Sequence, residues 1–363
     1  MERAYKRWVC VFLAVLVALL AFCAAVVYTV DPALYYRMPA DGKAAYFSER
    51  YQSVGMAKNA VADTVLIGTS MASNYRASRV GEIFGSSGLR ITLPDGYLSE
   101  FDKVMDVLLR NQTPERVIFA LDLNIMIRDE SGVTDVMPGY LYNRSVVDDV
   151  QYLLNKDNLY YSFFALMSRK WGSTETLDEG FVWDEGIGWD HEYALSCYFR
   201  PEPSGEVLPM DVYLTNVRSN LEVMGRWFTE NPEIQFSLFL SPYSMLFWDK
   251  AARLGETDAL LAAAEEICSA LLEYDNVHLY GYLMDREFVE DLDNYCDHIH
   301  HSPDMGDRLL LKLAAGEGRL TKENVSAAIA NWREFVVNYD YEKFWDATYW
   351  QNRAAAQAAG TAS

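Results

Sequence analysis

Residues 64–71 read Thr-Val-Leu-Ile-Gly-Thr-Ser-Met and combine a short apolar segment with a sharp turn. The apolar residues 64–67 predict a buried β-strand, and Gly68 and Thr69 lead directly to Ser70 at its end. Helical spacing is expected to follow over residues 70–84. This strand–turn–helix order is typical of α/β proteins, in which parallel strands alternate with helices that cover both faces of the sheet.

The same alternation continues on both sides of a long interruption. Strands are predicted at 89–93, 117–121, 235–240 and 277–280, with helices at 98–110, 212–230, 251–272 and 304–315 and from residue 323 onward. The sequence therefore predicts one α/β domain over residues 63–353. Residues 129–210 are rich in Tyr, Trp, Gly and acidic residues and predict an insertion over the functional edge of the sheet. Its aromatic residues could form the core of the insertion or stack on sugar rings.

The N-terminus carries an uninterrupted apolar segment. Residues 8–30 contain no charge, follow Arg3, Lys6 and Arg7, and precede Asp31. About 20 apolar residues suffice to cross a bilayer, and basic residues before the span favour an N-terminus inside the cell. We expect a cytoplasmic stub and transmembrane anchor over residues 1–30, with cleavage as a signal peptide the alternative. A stalk that packs on the globular body is expected at 31–62 and a disordered tail at 354–363.

Composition excludes several classes of protein. The formal charge is −21, from 31 basic and 52 acidic residues, so nucleic acid is not an expected partner. Of five cysteines, Cys10 and Cys23 fall in the apolar span, which leaves three outside it and no Cys-x-x-Cys pair. This count predicts neither a disulfide framework nor a thiolate metal site.

A second segment supplies the chemistry that Ser70 needs. A serine hydroxyl is a weak nucleophile unless an imidazole accepts its proton and a carboxylate orients that imidazole. Asp297 and His300 lie three residues apart in a predicted loop and could serve together. If the two segments meet, they form a Ser-His-Asp arrangement for acyl transfer.

Each of these residues also has a simpler interpretation. Ser70 could be only the N-cap of the following helix. The histidines could be a chance surface cluster, or His298, His300 and His301 could bind a metal with ligands from elsewhere. Because His300 and His301 are adjacent and cannot easily face one ion, no metal is predicted.

The order and spacing of the two segments resemble the SGNH/GDSL hydrolase superfamily. Gly68-Thr69-Ser70-Met71 stands where that family has its first block, and Asp297-His298-Ile299-His300 is similar to its closing Asp-x-x-His. The anchored layout resembles the extracytoplasmic branch with the teichoic acid D-alanyl-transfer protein and polysaccharide O-acetylation proteins. The resemblance covers residues 63–123 and 234–311. It implies a three-layer α/β/α fold of flavodoxin-like type with a parallel sheet, and no cofactor.

The resemblance also implies oxyanion donors. These would be the amide of the nucleophile, Gly96 after the second strand, and an Asn after the third. Gly96 could instead be a turn residue with positive φ. Strict spacing puts Asp122 in the Asn position, where a carboxylate cannot donate, and Asn124 is the expected replacement. Thr69 stands where the family has Asp. Asn74 is a candidate substrate-binding residue.

Together these features predict a serine-dependent acyl-ester hydrolase or O-acyltransferase at the cell surface. The expected substrate is a polysaccharide or teichoic-acid-like polymer outside the cytoplasm. By resemblance, a membrane O-acyltransferase is an expected partner. The alternative is a catalytically inactive SGNH-like protein that binds glycans or assists assembly in the cell envelope.

Overall fold

The computed structural model describes residues 2–134, 137–182 and 186–360. The strands are β1 Thr64–Gly68, β2 Gly88–Thr92, β3 Arg116–Leu121, β4 Gln235–Leu240, β5 Val277–Tyr280 and β6 Arg319–Leu320. The helices are α1 Glu2–Val30, α2 Glu49–Asn59, α3 Ala77–Phe84, α4 Leu98–Asn111, α5 Leu123–Met126, α6 Gly139–Tyr142, α7 Asp149–Leu153, α8 Lys156–Trp171, α9 His191–Cys197, α10 Leu214–Glu230, α11 Met245–Leu254, α12 Thr257–Leu271, α13 Arg286–Val289, α14 Pro303–Ala315, α15 Val325–Val337 and α16 Ala347–Gly360.

The six strands form one sheet in the order β2-β1-β3-β4-β5-β6. All neighbouring strands are parallel except the β5–β6 pair, which is antiparallel. Nearly every residue of β1 to β4 is buried, as expected for parallel strands that are covered on both faces. The prediction of an α/β protein with a parallel sheet is confirmed. The short edge strand β6 was not predicted.

Several predicted helix boundaries are wrong. The helix expected over 70–84 begins only at Ala77, after a 3₁₀ turn at Ser70–Ala72. The helix expected over 251–272 is two helices, which separate at Gly255 with φ of +71°. Residues 354–360 belong to α16 and are not a disordered tail, while 361–363 lie outside the described residues.

The helices pack in two groups. In the first, α2 contacts α4, α4 contacts α10, α10 contacts α12, and α12 contacts α15. In the second, α3 contacts β1, β2 and α14. The apolar core extends continuously through the sheet and both groups, and includes large buried side chains such as Phe101, Phe236 and Trp248.

Residues 31–62, expected to be a stalk, include a helix that is built into the domain. Helix α2 packs on α4 and β2, and most of its side chains are buried. Arg50 forms a buried ion pair with Glu100 of α4 at 2.7 Å. Gln52 donates hydrogen bonds to the carbonyls of Pro32 and Ala45. The segment between the apolar helix and β1 is therefore part of the folded body.

The junction after α1 is fixed by a buried carboxylate. Asp31 accepts hydrogen bonds from the backbone N–H groups of Tyr35, Tyr36 and Arg37. It also accepts one from the hydroxyl of Tyr152 on α7, at 2.8 Å. These bonds satisfy the buried charge and connect the end of α1 to α7. The orientation of α1 relative to the domain is therefore set by tertiary contacts.

The insertion at 129–210 divides between two regions. Helices α7 and α8 contact α1, whereas α6 contacts α2 and α4. Farther along, the backbone N–H of Ser78 binds Asp178, and Arg90 of β2 donates to the carbonyl of Gly180. This second part is joined to α3 and β2, and Asp178, Val182 and Trp189 line a cleft together with Asn74.

Gly55 tests how closely residues 31–35 pack on α2. A Cβ atom at this position would lie 2.2 Å from the carbonyl oxygen of Ala33, which is backbone and cannot rotate away. We expect Gly55→Ala to destabilise the protein by about 1–3 kcal/mol, the usual cost of overpacking. The measurement is the thermal unfolding midpoint in detergent.

Gly139→Ala is the matched control, because no atom lies within 4 Å of its added Cβ. A loose stalk would predict equal midpoints for the two variants.

Candidate active site

The site forms where two neighbouring strands end. β1 lies between β2 and β3, so the chain crosses the sheet in opposite directions on leaving β1 and β2. Open α/β sheets bind ligands at such a switch point, beyond the carboxyl ends of the strands. Gly68 is paired with Ala120 there, and an added Cβ at Gly68 would lie 2.7 Å from the Cβ of Ala72. The absence of a side chain at Gly68 permits the sharp turn that carries Ser70.

The turn itself is a single 3₁₀ turn, Ser70–Ala72, capped by Thr69. The Thr69 hydroxyl accepts a hydrogen bond from the N–H of Met71 at 3.2 Å. Ser70 is therefore not the N-cap. Because the next helix begins only at Ala77, the expected helix N-terminus at Ser70 is also absent. The backbone N–H of Ser70 has no acceptor within the described part of the chain.

The second segment is a tight loop between β5 and α14. Residues Tyr295 and His301 form an isolated antiparallel bridge, and the N–H of Cys296 donates to the carbonyl of His300. Ser244, just beyond β4, donates its hydroxyl to the carbonyl of His298 at 2.9 Å. The loop thus has its own hydrogen bonds and is also attached to the end of a neighbouring parallel strand.

The structure brings the two predicted segments together. Ser70 Oγ lies 2.9 Å from His300 Nε2, although 230 residues separate them in sequence. His300 Nδ1 lies 2.7 Å from an oxygen of Asp297. The other oxygen of Asp297 accepts the N–H groups of Ile299 and His300, which fixes the carboxylate within its own turn.

This geometry suits proton transfer. Burial alone would raise the pKa of Asp297, but hydrogen bonds from the His300 ring and from the backbone N–H groups of His300 and Ile299 hold that pKa below its usual value. Asp297 therefore remains an anion and favours the tautomer with a proton on Nδ1 of His300. Nε2 then carries the lone pair that accepts the proton of Ser70. All three side chains are only partly buried, so a substrate can reach them.

Two residues that differ from the SGNH pattern are bonded to each other. Thr69 donates its hydroxyl to one oxygen of Asp122 at 3.0 Å. The other oxygen of Asp122 accepts the N–H of Asn124 at 2.9 Å and the hydroxyl of Tyr243. Asp122 is buried, and these three donors satisfy its carboxylate. Its structural role is to hold the turn that carries Ser70.

The predicted oxyanion donors have different surroundings. The Gly96 N–H donates to the carbonyl of Leu93 at 2.9 Å and is therefore already used. The positive φ in this turn belongs to Asp95, at +52°, and not to Gly96. The side-chain amide of Asn124 is partly exposed, with no hydrogen-bond partner found within the described ranges. Two donors make no hydrogen bond within the described residues, namely the backbone N–H of Ser70 and the side-chain amide of Asn124.

The other two histidines of the loop make contacts of their own. His298 packs near the rings of Phe247 and Tyr198. His301 is buried, and burial lowers its pKa to about 4, so it is neutral. Its Nε2 lies 3.5 Å from the hydroxyl of Tyr75, which links the two loops of the site. These contacts do not favour the metal site considered from His298, His300 and His301.

A different set of metal-ligand types, Cys296, Asp297 and His300, has its atoms within 4.8 Å of one another. Both ring nitrogens of His300, however, are hydrogen-bonded, one to Ser70 and one to Asp297. Burial raises the pKa of the Cys296 thiol to about 12, so it is not the thiolate that a metal needs. The donor set fits a hydrogen-bonded triad better than a metal site.

Asn74 lies in a cleft next to the histidine loop. The cleft has a volume of about 690 Å³, and its lining includes Asn74, Trp189, Asp293 and Ser302. Ser302 follows the histidine loop directly, but Ser70 itself is not among the lining residues. The structure therefore places Asn74 in a cleft that the three triad residues do not line.

No protein-family model matches this sequence, and a search of curated proteins finds no relative. The chemistry of the site therefore has to be argued from its own geometry. Sequence reasoning identified Ser70, Asp297 and His300 but missed the supporting residues. Arg90, a buried cation on β2, donates to the carbonyls of Ser73 and Tyr75 and fixes the chain beyond Ser70. An arginine in an apolar strand was the available signal.

The Thr69–Asp122 hydrogen bond can be tested by removing one hydroxyl. Thr69→Val keeps the shape of the side chain but leaves a buried carboxylate oxygen and the N–H of Met71 without their partner. We expect a loss of about 1–3 kcal/mol in the free energy of unfolding, the cost of unsatisfied buried polar groups.

Thr69→Ser, which retains the hydroxyl, is the control and should lose less stability. Thermal unfolding of both variants in one detergent makes the comparison. If the Val variant matched the Ser variant, the bond would contribute nothing to stability.

Proposed function

We propose that this protein is a membrane-anchored serine esterase or O-acyltransferase that acts outside the cytoplasm on acyl esters of a cell-surface polysaccharide or teichoic-acid-like polymer. The observation that carries the proposal is the continuous hydrogen-bonded chain from Ser70 Oγ through the His300 ring to Asp297, at 2.9 and 2.7 Å. Nucleophile, base and orienting carboxylate at these separations are the requirement for acyl transfer through serine.

The reaction proceeds in two halves. His300 Nε2 takes the proton of Ser70 as Oγ attacks the ester carbonyl, and the carbonyl oxygen becomes an oxyanion. The ester C–O bond then breaks, and the leaving alcohol takes the proton from His300 to give an acyl-serine. In the second half, His300 deprotonates water or an acceptor hydroxyl, which attacks the acyl carbon. The bond from that carbon to Ser70 Oγ then breaks, and the proton returns from His300 to Ser70. No metal or organic cofactor takes part in this sequence.

The oxyanion requires donors that are not already used. The N–H of Ser70 meets this condition, and the side-chain amide of Asn124 is the second donor that we assign. Gly96 is a poorer candidate, because its N–H is bonded to Leu93. Asn74 and the adjoining cleft are assigned to the acceptor or to the rest of the substrate.

The fold that we infer is the SGNH arrangement. A sheet with the order β2-β1-β3-β4-β5, together with two groups of helices, is compatible with a three-layer α/β/α fold of flavodoxin-like type. The Ser70 turn after β1 and the Asp-x-x-His loop after β5 occur in the order that this superfamily uses. Fold-level analogy supports the assignment, and the triad geometry is the stronger support.

The location outside the cytoplasm rests on the first helix. One helix, Glu2–Val30, is long and apolar enough to cross a membrane. The basic residues before its apolar part favour an N-terminus inside, with the α/β domain on the outer side. A polytopic membrane O-acyltransferase that supplies acyl groups from inside is the partner that this location and the proposed chemistry suggest.

The catalytic proposal is tested with a fluorophosphonate probe, which reacts only with an activated serine. We expect wild-type protein to be labelled, and Ser70→Ala and His300→Ala to lose labelling. Asp297→Asn should slow it by on the order of 10⁴-fold, because the carboxylate no longer stabilises the imidazolium. Labelling that persists in Ser70→Ala, or an unreactive wild type, would contradict the proposal.

Ser73→Ala is the matched control. Ser73 lies three residues from Ser70, and its buried hydroxyl has no partner within the described part of the chain. This variant should be labelled like the wild type. Thermal unfolding of every variant separates loss of the nucleophile from loss of the fold.

Transfer is separated from hydrolysis by the fate of the acyl group. With a chromogenic acetyl ester as donor, release of the chromophore measures the first half-reaction. We expect an added glycan acceptor to divert acetyl groups from water to sugar hydroxyls, because an acceptor bound in the cleft beside the triad has a high effective concentration. Mass spectrometry of the acceptor makes the measurement, and release of acetate alone would identify a hydrolase.

A non-catalytic role in glycan binding or assembly is the second candidate. One observation favours it, since the Gly96 amide is used within its own turn and Asp122 cannot donate, which leaves fewer oxyanion donors than the SGNH pattern has. A wild-type protein that binds glycan and resists the probe would identify this role.

A further inference from the structure

Helix α8 has its polar and apolar faces reversed relative to a helix of a water-soluble domain. Its fully buried side chains are Asn158, Ser162 and Ser168, all of them polar. Asn158 donates to the carbonyl of Tyr152, and Ser162 donates to the carbonyl of Asn158. A helix in water normally buries its apolar face and exposes its polar one. The inward face of α8 therefore combines hydrogen-bonded polar side chains with packed Leu159 and Tyr161, and Asn158 Oδ1 has no partner within the described residues.

The outward face of α8 is apolar and aromatic. Tyr160, Phe163, Phe164, Met167 and Trp171 are all exposed, with 67% of Tyr160, 53% of Phe163 and 73% of Trp171 accessible. Their spacing of i, i+3, i+4, i+7 and i+11 puts them along one side of the helix. We call these five residues the apolar face. Exposed patches of this kind mark binding surfaces, because leaving them in water is unfavourable.

The segment before α8, residues 146–154, also exposes apolar side chains. Val146, Val147, Val150 and Leu154 are also exposed, with Val146 at 82%. Val146 and Val147 lie on the 3₁₀ turn before α7, Val150 lies on α7, and Leu154 follows its last residue. Both α7 and α8 contact α1. The exposed apolar residues are therefore grouped on elements that pack against the apolar N-terminal helix.

The position along α1 at which the domain packs indicates where α8 would lie relative to a bilayer. The side chains at positions 10–22 of α1 are exposed, whereas partial burial by the domain begins at Cys23 and Val27 is fully buried. A bilayer core of ~30 Å takes about 20 helical residues, so a span that starts at Trp8 reaches the far boundary near Val27. Elements packed against this end of α1 lie at the outer surface of the hydrocarbon region.

The charges of α8 fit the same location. Lys156, Arg169 and Lys170 outnumber Asp157 three to one, although the whole chain has a net charge of −21. Tyr and Trp with flanking cations are characteristic of segments at the membrane interface, where apolar rings enter the lipid and charges remain in water. The net positive charge would also be attracted to anionic lipid headgroups.

We propose that α8 lies in the outer surface of the membrane, with its apolar face inserted into the lipid, so that the α/β domain is held against the bilayer by two contacts, α1 and α8. Tyr152 of α7 connects the two contacts, because its hydroxyl donates to Asp31 and its carbonyl accepts from Asn158 of α8. The domain is therefore oriented on the membrane and does not swing on a stalk. The occupant of the apolar face is lipid.

The test measures the polarity around single positions in the full chain. In a Cys10→Ala, Cys23→Ala, Cys197→Ser background, where the remaining cysteines are buried, Phe163→Cys is labelled with an environment-sensitive nitrobenzoxadiazole dye. The matched control is Val207→Cys, an exposed apolar position outside the α7–α8 region. Both proteins are reconstituted in vesicles of phosphatidylcholine and phosphatidylglycerol. Met167→Cys serves if Phe163→Cys does not fold.

We expect emission from position 163 to shift to shorter wavelength and to be quenched by lipids with brominated acyl chains, while position 207 shows neither effect. Equal emission and no quenching at both positions would overturn the proposal. A shift seen only in native membranes, and not in pure lipid vesicles, would also overturn it and identify a protein as the occupant.

The result is independent of the proposed chemistry. The same labelling in a Ser70→Ala background should give the same shift, so loss of catalysis and loss of membrane contact are separate outcomes. Resistance of the reconstituted protein to alkaline extraction reports on α1 alone. A protein that resists extraction yet shows no shift at position 163 would retain its anchor and refute the contact through α8.

Discussion

The parallel pairing of β1 with β3 is the constraint on which the site depends. It brings Gly68 beside Ala120. Thr69, the residue after Gly68, and Asp122, two residues after Ala120, therefore come within hydrogen-bonding distance. Parallel strands present their carboxyl ends at one edge of the sheet, so every loop that leaves this edge can reach the same point. The loop after β5 joins them there through its attachment to the end of β4. The contact between Ser70 and His300 is a consequence of this strand order.

Thr69 and Asp122 show how a pair of residues can be understood only together. Each alone departs from the pattern of the SGNH family, because Thr69 lacks a carboxylate and Asp122 cannot donate to an oxyanion. In the fold, the hydroxyl of one donates to the carboxylate of the other, and Tyr243 and the N–H of Asn124 complete the set. A buried carboxylate with three donors is stable, whereas an unpaired one would be costly. The two departures compensate for each other in supporting the turn, while the number of oxyanion donors remains reduced.

Hydrogen bonding of buried polar groups also bears on the reversed faces of helix α8. Its buried Asn158 and Ser162 donate hydrogen bonds to backbone carbonyls, although Asn158 Oδ1 has no partner within the described residues. Its aromatic outward face would be unfavourable in water and favourable in lipid. The buried carboxylate of Asp31, with Tyr152 as one of its donors, joins α7 to the end of the apolar helix α1. The orientation of α1 relative to the domain therefore depends on side-chain hydrogen bonds at this junction.

Sequence alone determined the features that local patterns encode. Apolar runs predicted the five parallel strands, unbroken hydropathy predicted α1, and the spacing of Asp297 and His300 predicted their contact, because three residues in a turn can reach each other. Tertiary structure decided what depends on distant neighbours. The Ser70–His300 contact spans 230 residues, and the strand order that permits it is not written in either segment. The surfaces that meet in the fold also decided four other features. These are the hydrogen-bonded amide of Gly96, the start of a helix at Ala77, the packing of Gly55 on Ala33 and the reversed faces of α8. Local propensity sets which elements form, but burial and hydrogen-bond satisfaction across the fold set which atoms touch.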